Sequence, residues 1–408
     1  MSGLFLGTLL MHLPGLSLVP ISIFPALFLV FPLVIGTAGR VRTLLCASLI
    51  ACASGIITLI FSAASGVVTP AFETWGAILL WLLAIPLLLG VAERAFRAVS
   101  PRAGVLLMLG GATVSSFFTY HGSWKGSFGI FAMAFVLVLL ARHIILALFA
   151  AGGGIALSLW ADARSMAAAI GASVLIWGVG RLRAHQRLRF KDLLVMFAAL
   201  GLFAVLSVFV LASGWAGPSA QARTLDQLRR ANLLFGFRAE WAITFDLFSA
   251  YPAGLGIGAG LPDGVKGDAI LAVERAGGDW SADYFQYTVL GDRVDLHSTV
   301  ANLWFHFGLG GILLAAVLLL LLLGALRSTP MYSRDFGLGG TLMVLLAIWD
   351  LFFSPMGDVD RVIAGLVVAM LMSNAGDRGA QVSARDCTEL STASCLETIS
   401  LSAPANSP

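Results

Sequence analysis

The sequence predicts an all-α fold: a polytopic transmembrane bundle of eleven or twelve helices with one large extracytoplasmic loop. Of its 408 residues, 59% are hydrophobic and only 12% are charged, and the mean hydropathy is +0.92. Such a composition cannot surround a globular core with a water-exposed surface, so lipid must supply most of the solvent. The formal net charge of +3 is too small to indicate a nucleic acid as partner.

Apolar runs of about the 20 residues that a membrane-spanning helix needs recur along the chain. Eleven such runs lie near 17 to 36, 43 to 61, 75 to 91, 103 to 119, 129 to 141, 144 to 159, 166 to 180, 193 to 213, 299 to 325, 336 to 354 and 362 to 374. Residues 3 to 16, which Pro14 interrupts, form a short additional helix if the count is twelve.

Basic residues are concentrated in every second connection between these runs, which the positive-inside rule places in the cytoplasm. They are Arg40, Arg42, Arg94, Arg97, Arg102, Arg142, Arg181, Arg183, Arg187, Arg189, Lys191, Arg327 and Arg334. The connections 62 to 74, 120 to 128, 160 to 165 and 355 to 361 then face outside. The chain divides into an N-terminal bundle (1–213), the large extracytoplasmic loop (214–297), C-terminal helices (298–374) and a disordered cytoplasmic tail (375–408).

The first half of the large loop predicts an amphipathic helix over 225–250. Its apolar side chains follow each other three or four residues apart, at Leu234, Phe237, Trp241, Phe245 and Phe248. On a continuous helix Arg230 and Arg238 project about 80° apart, so both could flank one anionic group, but Gly236 between them leaves that continuity open. For Arg223, Arg229 and Arg230, contact with lipid headgroups is an equally good interpretation.

A glycine-rich turn follows this helix. After Pro252, glycines alternate with other residues at Gly254, Gly256, Gly258 and Gly260. They permit a close backbone approach, although such a run on its own is also typical of a flexible turn.

The end of the large loop places His297 at the external surface of the membrane. Ser298 is suited to cap the next helix, so His297 lies just outside it. Asp295, two residues earlier, could hold the imidazole ring and raise its basicity. The alternative is a histidine that only hydrogen-bonds at the interface. His306 points about 180° away and lies ~13 Å deeper, so the two histidines cannot share a metal ion.

Three aspartates are further candidates. Asp358 and Asp360 could bind a divalent cation on the external face, or could simply solvate a short turn. Asp350 lies inside an apolar run, where a buried charge indicates either function or a polar contact between helices.

Two segments in order, FRAEWAITFDLFSAYPAGLGIGAG and HSTVANLWFHFGLGGILL, resemble the paired signature of the bacterial O-antigen ligase and polymerase family. The family pattern runs from an Arg through a Trp and a Pro-x-x-Gly-x-Gly turn to a His that opens an apolar helix with Gly-x-x-Gly. Those places are filled by Arg238, Trp241, Pro252 to Gly260, His297, Ser298, Gly308 and Gly311. An acid-rich insertion, Leu261 to Asp295, departs from the pattern.

The resemblance implies an inverting glycosyltransferase that uses neither a cofactor nor a metal ion. The donor would be an undecaprenyl-diphosphate-linked oligosaccharide, at the periplasmic face of the bacterial inner membrane. Arg238, helped by Arg230 or Arg223, would stabilise the departing diphosphate. His297, supported by Asp295, would accept the proton of the attacking hydroxyl, with Trp241, Gly256 and Gly258 in support. Further partners would be the bilayer and a regulator of chain length.

Several functions are compatible with these features. Polymerisation of O-antigen or exopolysaccharide repeats is favoured, since nothing points to a large lipid A acceptor, but ligation to a lipid A core shares the signature. A flippase of lipid-linked oligosaccharides should place polar residues along the membrane midplane, where this chain has few. A metal-dependent transferase using Asp358 and Asp360 should have an acidic first external loop, and residues 62 to 74 contain only Glu73.

Overall fold

The computed structural model describes residues 12–13, 16–20, 39–95, 99–119, 122–124, 127–161, 163–182, 190–215, 217–230, 239–276, 283–291, 294–327, 336–354 and 362–369. Within these ranges the fold is all-α, as the sequence predicts, apart from two short antiparallel strand pairs. The helices are α1 (Gly39–Ala64), α2 (Phe72–Ala95), α3 (Pro101–Thr119), α4 (Ser127–Leu139), α5 (Ile144–Trp160), α6 (Arg164–Leu182), α7 (Phe190–Ala212), α8 (Pro218–Arg230), α9 (Glu240–Ala250), α10 (Asp263–Arg275), α11 (Thr299–Leu326), α12 (Gly337–Phe353) and α13 (362–369).

Each apolar run that the sequence predicts after residue 40 coincides with one of these helices. In the described part of the chain, α1 and α11 are long and apolar enough to cross a membrane by length and composition, with mean hydropathies of 2.4 and 2.8 in their most apolar windows. Shorter apolar helices lie at Thr74–Gly90, Phe128–Leu139, Ile144–Trp160 and Gly337–Phe353.

The N-terminal residues that the structure describes differ from the prediction. Strand β1 (His12–Leu13) pairs antiparallel with strand β2 (Leu16–Pro20), where helices over 3 to 16 and 17 to 36 were expected. The helical expectation is therefore wrong for these residues. Pro14 and Gly15 are turn formers, and the alternation that follows in LSLV suits a strand better than a helix.

Helices α1 and α11 pack closely because small residues line their contact. A side chain at Gly55 would meet the His306 carbonyl oxygen at 2.6 Å, and one at Gly310 would meet the Ser54 Cβ at 2.7 Å. The Ser54 hydroxyl also accepts a hydrogen bond of 3.2 Å from the Gly310 backbone N–H. Small residues of this kind let two helix backbones approach, as in helix pairs within membranes.

A kink in α11 receives the glycine-rich turn. Gly308 has φ 56° and ψ −138°, which interrupts the helix. The Phe305 carbonyl accepts hydrogen bonds from the backbone N–H groups of Leu255, at 2.9 Å, and Gly256, at 3.0 Å. Strand β4 (Ala259–Gly260) then pairs antiparallel with β3 (Thr69–Pro70). Residues 255–260, in the middle of the large loop, are thus fixed against α1, α11 and strand β3.

Candidate active site

The start of α11 fixes the position of His297. Ser298 has an extended backbone, φ −146° and ψ 121°, and its hydroxyl accepts a hydrogen bond of 3.3 Å from the Ala301 N–H. The predicted N-terminal cap is therefore confirmed. The Ser298 hydroxyl also lies 3.4 Å from the Leu351 carbonyl, which links this cap to the end of α12.

The backbone of His297 adopts a conformation that side chains disfavour. Its φ is 51°, and among the described residues no other non-glycine residue has a positive φ. Left-handed backbone in a residue with a Cβ costs of the order of 1 kcal/mol or more and persists only where the surroundings impose it. Such a residue at the boundary of a helix is a candidate for function.

Asp295 and Asn302 impose this conformation. The Asp295 carboxylate Oδ1 accepts hydrogen bonds from the His297 backbone N–H, at 3.1 Å, and from the Asn302 amide Nδ2, at 2.8 Å. The Asn302 Oδ1 in turn accepts from the Leu296 N–H at 2.8 Å. Asn302 is fully buried and Asp295 is 8% exposed, so these bonds form largely away from water.

The imidazole of His297 is held by a carbonyl and a phenol. Its Nδ1 lies 3.1 Å from the Asp295 carbonyl oxygen, and its Nε2 lies 3.4 Å from the Tyr284 hydroxyl. The prediction that Asp295 holds the ring is refined: its backbone carbonyl contacts the ring, while its carboxylate holds the backbone. A carbonyl only accepts, so Nδ1 carries a hydrogen and the lone pair of the neutral ring lies on Nε2.

Tyr284 connects His297 to a carboxylate. The tyrosine lies in the π-helical turn Tyr284–Val289, and its hydroxyl donates a hydrogen bond of 3.0 Å to Oε1 of Glu240. Glu240 is the first residue of α9. Glu240, which precedes the glycine-rich turn, and Tyr284, which follows it, therefore meet beside His297.

Aromatic side chains border this cluster. Trp241 lies with its ring 5.5 Å from that of Phe245 and 6.4 Å from that of Phe353, and Phe353 lies 4.5 Å from Trp349. Phe245 is 49% and Trp349 41% exposed. Helix α9 buries a different set of residues, Ala242, Ile243, Thr244 and Leu247. Because Phe245 and Phe248 are exposed, this helix is apolar on its exposed side as well.

The predicted arginines are positioned only in part. Arg238 lies outside the described residues, and so do Asp358 and Asp360. Arg223 and Arg230 lie on α8. On the same helix, Thr224 accepts a hydrogen bond of 3.3 Å from Arg164 at the start of α6. Because α9 begins at Glu240, with Ala239 as its cap, Arg238 precedes that helix. A separate helix therefore begins at Glu240, so the 80° angle, which assumed one continuous helix over 225–250, does not apply.

Gly256 and Gly258 are buried in packing contacts and do not face an open site. A side chain at Gly256 would collide with the backbone of Leu59 on α1, and one at Gly258 with Trp75 on α2. Their φ values are 103° and 61°, which glycine adopts readily. The close approach that the sequence predicts here is made to helices of the same chain.

Two further polar groups prove to connect elements. Asp350 is 1% exposed; its carbonyl accepts a hydrogen bond of 3.3 Å from Thr299, and its carboxylate accepts one from Ser354. The contact with Thr299 on α11 is made by the Asp350 backbone, whereas its carboxylate bonds Ser354 at the end of its own helix, so both interpretations of the carboxylate stay predictions. His306 has its Nε2 3.2 Å from the Val294 carbonyl, so it fixes the loop before His297. Among the described residues no group of three or more His, Cys, Asp or Glu is placed to hold a metal ion.

Three residues of this cluster were not found from the sequence. Asn302 could have been noticed as an amide in an apolar run one turn after the Ser298 cap, and Glu240 as a carboxylate two positions after Arg238. Tyr284 gave no signal, because it lies in the acid-rich insertion, which had no assigned role.

Comparisons of the chain with protein-family models, with curated proteins and with solved structures give no match.

Proposed function

We propose that this chain is a multi-pass protein of the bacterial inner membrane that polymerises surface-polysaccharide repeat units. Each step would be an inverting glycosyl transfer from an undecaprenyl-diphosphate-linked oligosaccharide at the periplasmic face. The observation that carries the proposal is His297, held in a left-handed backbone conformation with its Nε2 directed at a Tyr–Glu pair. The family resemblance of the two sequence segments supplies the reaction.

The exposed apolar side chains of the helices support the proposal that the protein lies in a lipid bilayer. Large apolar side chains are exposed along the outer faces of α1, α5, α7 and α11, among them Phe61 at 72%, Phe149 at 76%, Phe209 at 70% and Leu309 at 68%. Water-soluble proteins do not display apolar surface on this scale. Trp160, the last residue of α5, is 86% exposed and Trp215, shortly after α7, is 87% exposed, at helix ends where tryptophans of an interfacial belt are expected.

Contacts between connections support the predicted alternation of sides. Two connections assigned to the outside touch the large loop, through the β3–β4 pairing and the bond from Arg164 to Thr224. The ends of α3 and α4 that were assigned to the cytoplasmic side meet where Arg102 donates a hydrogen bond of 3.0 Å to the Leu139 carbonyl. Each of these three contacts joins elements that were assigned to the same side of the membrane.

The chemistry assigns one role to each flank of the loop. The Nε2 lone pair of His297 accepts the proton of an acceptor hydroxyl as its oxygen attacks the anomeric carbon. Arg238 stabilises the negative charge that develops on the departing diphosphate, with Arg230 or Arg223 as helpers. In the sequence, Arg238 stands two positions before Glu240.

Two variants test these roles. Arg238→Ala and His297→Ala should each abolish polymer formation in cells while the protein is still inserted in the membrane. EDTA should leave the activity of the wild-type protein intact. Inhibition by EDTA that a divalent cation reverses would favour the metal-dependent alternative with Asp358 and Asp360.

Deletion of the gene distinguishes polymerisation from its alternatives. A strain without the polymerase should accumulate single lipid-linked repeats on the periplasmic side. Long lipid-linked chains would indicate a ligase that transfers glycan to a lipid A core. Single repeats trapped on the cytoplasmic side would indicate a flippase.

A further inference from the structure

Glu240, Tyr284 and His297 form a line of polar atoms at the centre of the candidate site. The Tyr284 hydroxyl lies 3.0 Å from Oε1 of Glu240 and 3.4 Å from Nε2 of His297. The three residues come from three separate elements: the first turn of α9, the π-helical turn, and the loop before α11. Only tertiary folding brings them together, since Glu240 and Tyr284 are 44 positions apart.

The positions of the hydrogens follow from what each atom can donate. Nδ1 of His297 faces the Asp295 carbonyl, which only accepts, so a neutral ring carries its hydrogen there. The tyrosine has one hydroxyl hydrogen, and two of the described atoms, Glu240 Oε1 and His297 Nε2, lie where they could accept it. An ionised carboxylate is the stronger acceptor, and the shorter distance is the one to Glu240. The hydroxyl hydrogen therefore points to Glu240, and a lone pair of the tyrosine oxygen faces Nε2.

We infer that Glu240 and Tyr284 are positioning residues that stabilise His297 after it has accepted the proton of the acceptor hydroxyl. This inference rests on the proposed function. With the ring neutral, no hydrogen lies between Nε2 and the tyrosine oxygen, and 3.4 Å is long for a formed hydrogen bond. With the ring protonated, Nε2 carries a hydrogen that two oxygens can share, the acceptor oxygen from which it came and the tyrosine oxygen. The interaction thus strengthens during the reaction, which is the condition for lowering the barrier.

The step balances without a further reactant. The acceptor hydroxyl gives its proton to Nε2, and its oxygen forms the bond to the anomeric carbon. The bond from the anomeric carbon to the diphosphate oxygen breaks, and the electron pair leaves with the diphosphate. The protonated ring then donates to Asp295 through Nδ1 and to Tyr284 through Nε2, while Tyr284 donates to the Glu240 carboxylate.

The decisive variant is Tyr284→Phe, which keeps the ring and removes the hydroxyl. Its matched control is Tyr287→Phe, on the same π-helical turn, where the side chain is 72% exposed. With purified protein in liposomes and an undecaprenyl-diphosphate-linked repeat as substrate, we expect kcat of Tyr284→Phe to fall about ten- to a hundredfold. The KM for the lipid-linked donor should stay at the wild-type value, and Tyr287→Phe should match the wild type in both constants.

The second variant is Glu240→Gln, which keeps the shape of the side chain and removes its charge. Asp246→Asn on the same helix is the control. We expect kcat of Glu240→Gln to fall about tenfold with KM unchanged, and that of Asp246→Asn to stay at the wild-type value. Glu240→Gln also decides the matter if Tyr284→Phe does not fold.

The outcomes separate this inference from the proposed function. If His297→Ala is inactive while Tyr284→Phe and Glu240→Gln keep the wild-type kcat, the positioning role is wrong and the proposed function stands. A raised donor KM with an unchanged kcat would also overturn it, because it would mean a role in binding. If His297→Ala polymerises at the wild-type rate, the role assigned to His297 is wrong and the positioning role fails with it. If the wild-type protein forms no polymer, the proposed function itself fails.

Discussion

Two turns of the large loop use left-handed backbone, and they use it for different ends. In the glycine-rich turn, Gly254, Gly256 and Gly258 have φ values of 81°, 103° and 61°, and each lies where a side chain would collide with a neighbouring helix or ring. His297 has φ 51° but carries a large side chain with partners at both ring nitrogens. Packing explains the first turn. In the second, the bonds of Asp295 hold the strained backbone, and we propose that this presents the imidazole for catalysis.

The largest effect is expected from Gly256→Ala. The new Cβ would meet the Leu59 backbone at a φ that alanine disfavours, so we expect a loss of about 3 kcal/mol in stability. Gly264→Ala in α10 is the control, since nothing lies within 4 Å of its Cβ and the exchange in a helix should stabilise by up to about 1 kcal/mol. Thermal unfolding of both variants in detergent would measure the difference. Equal midpoints would contradict the packing role.

A smaller loss is expected from Asn302→Ala, which removes the support of the His297 loop. The hydrogen bonds that its side-chain amide makes with the Asp295 carboxylate and the Leu296 N–H are both lost in the protein interior, so stability should fall by about 2 kcal/mol. Polymer formation should fall as well, because the loop then no longer fixes the histidine. Gln286→Ala, at an exposed position of the π-helical turn, should change neither quantity. An active Asn302→Ala protein would show that the loop needs no such support.

The smallest change in stability is expected from His297→Gly, although it should abolish activity. Glycine adopts φ 51° without strain, so the free energy of unfolding should change by less than about 1 kcal/mol. His297→Val, whose branched side chain disfavours positive φ, should cost about 1–2 kcal/mol more. Thermal unfolding of the two variants gives the comparison. If they are equally stable, the left-handed conformation is not adopted at this position.

Patterns within one element allowed the sequence to predict much of this fold. Apolar runs located α1 to α7 and α11 to α13, and Ser298 was found as a cap because capping depends on the four residues that follow it. The continuity of the helix over 225–250 stayed open at Gly236, since periodicity alone does not reveal that a new helix begins at Glu240. Residues 12–13 and 16–20 were missed as strands because their apolar content outweighed the turn signal of Pro14 and Gly15.

The site was predictable only where its residues lie close together in sequence. His297 and Asp295 were found as neighbours, although their contact proved to use the Asp295 carbonyl and not its carboxylate. Tyr284 and Glu240 depend on the docking of the π-helical turn against α9, which no local pattern encodes. The role expected for Gly256 and Gly258 changed for the same reason, because Leu59 and Trp75, which they contact, lie about two hundred positions earlier in the chain.

The most direct test is polymerisation by the purified protein in liposomes that contain an undecaprenyl-diphosphate-linked repeat. The wild-type protein and His143→Ala, whose histidine is exposed before α5, should both extend the glycan. The rate for His297→Ala should fall at least about a hundredfold, as expected when a general base is removed. Extension by His297→Ala at the wild-type rate would contradict the central role of His297.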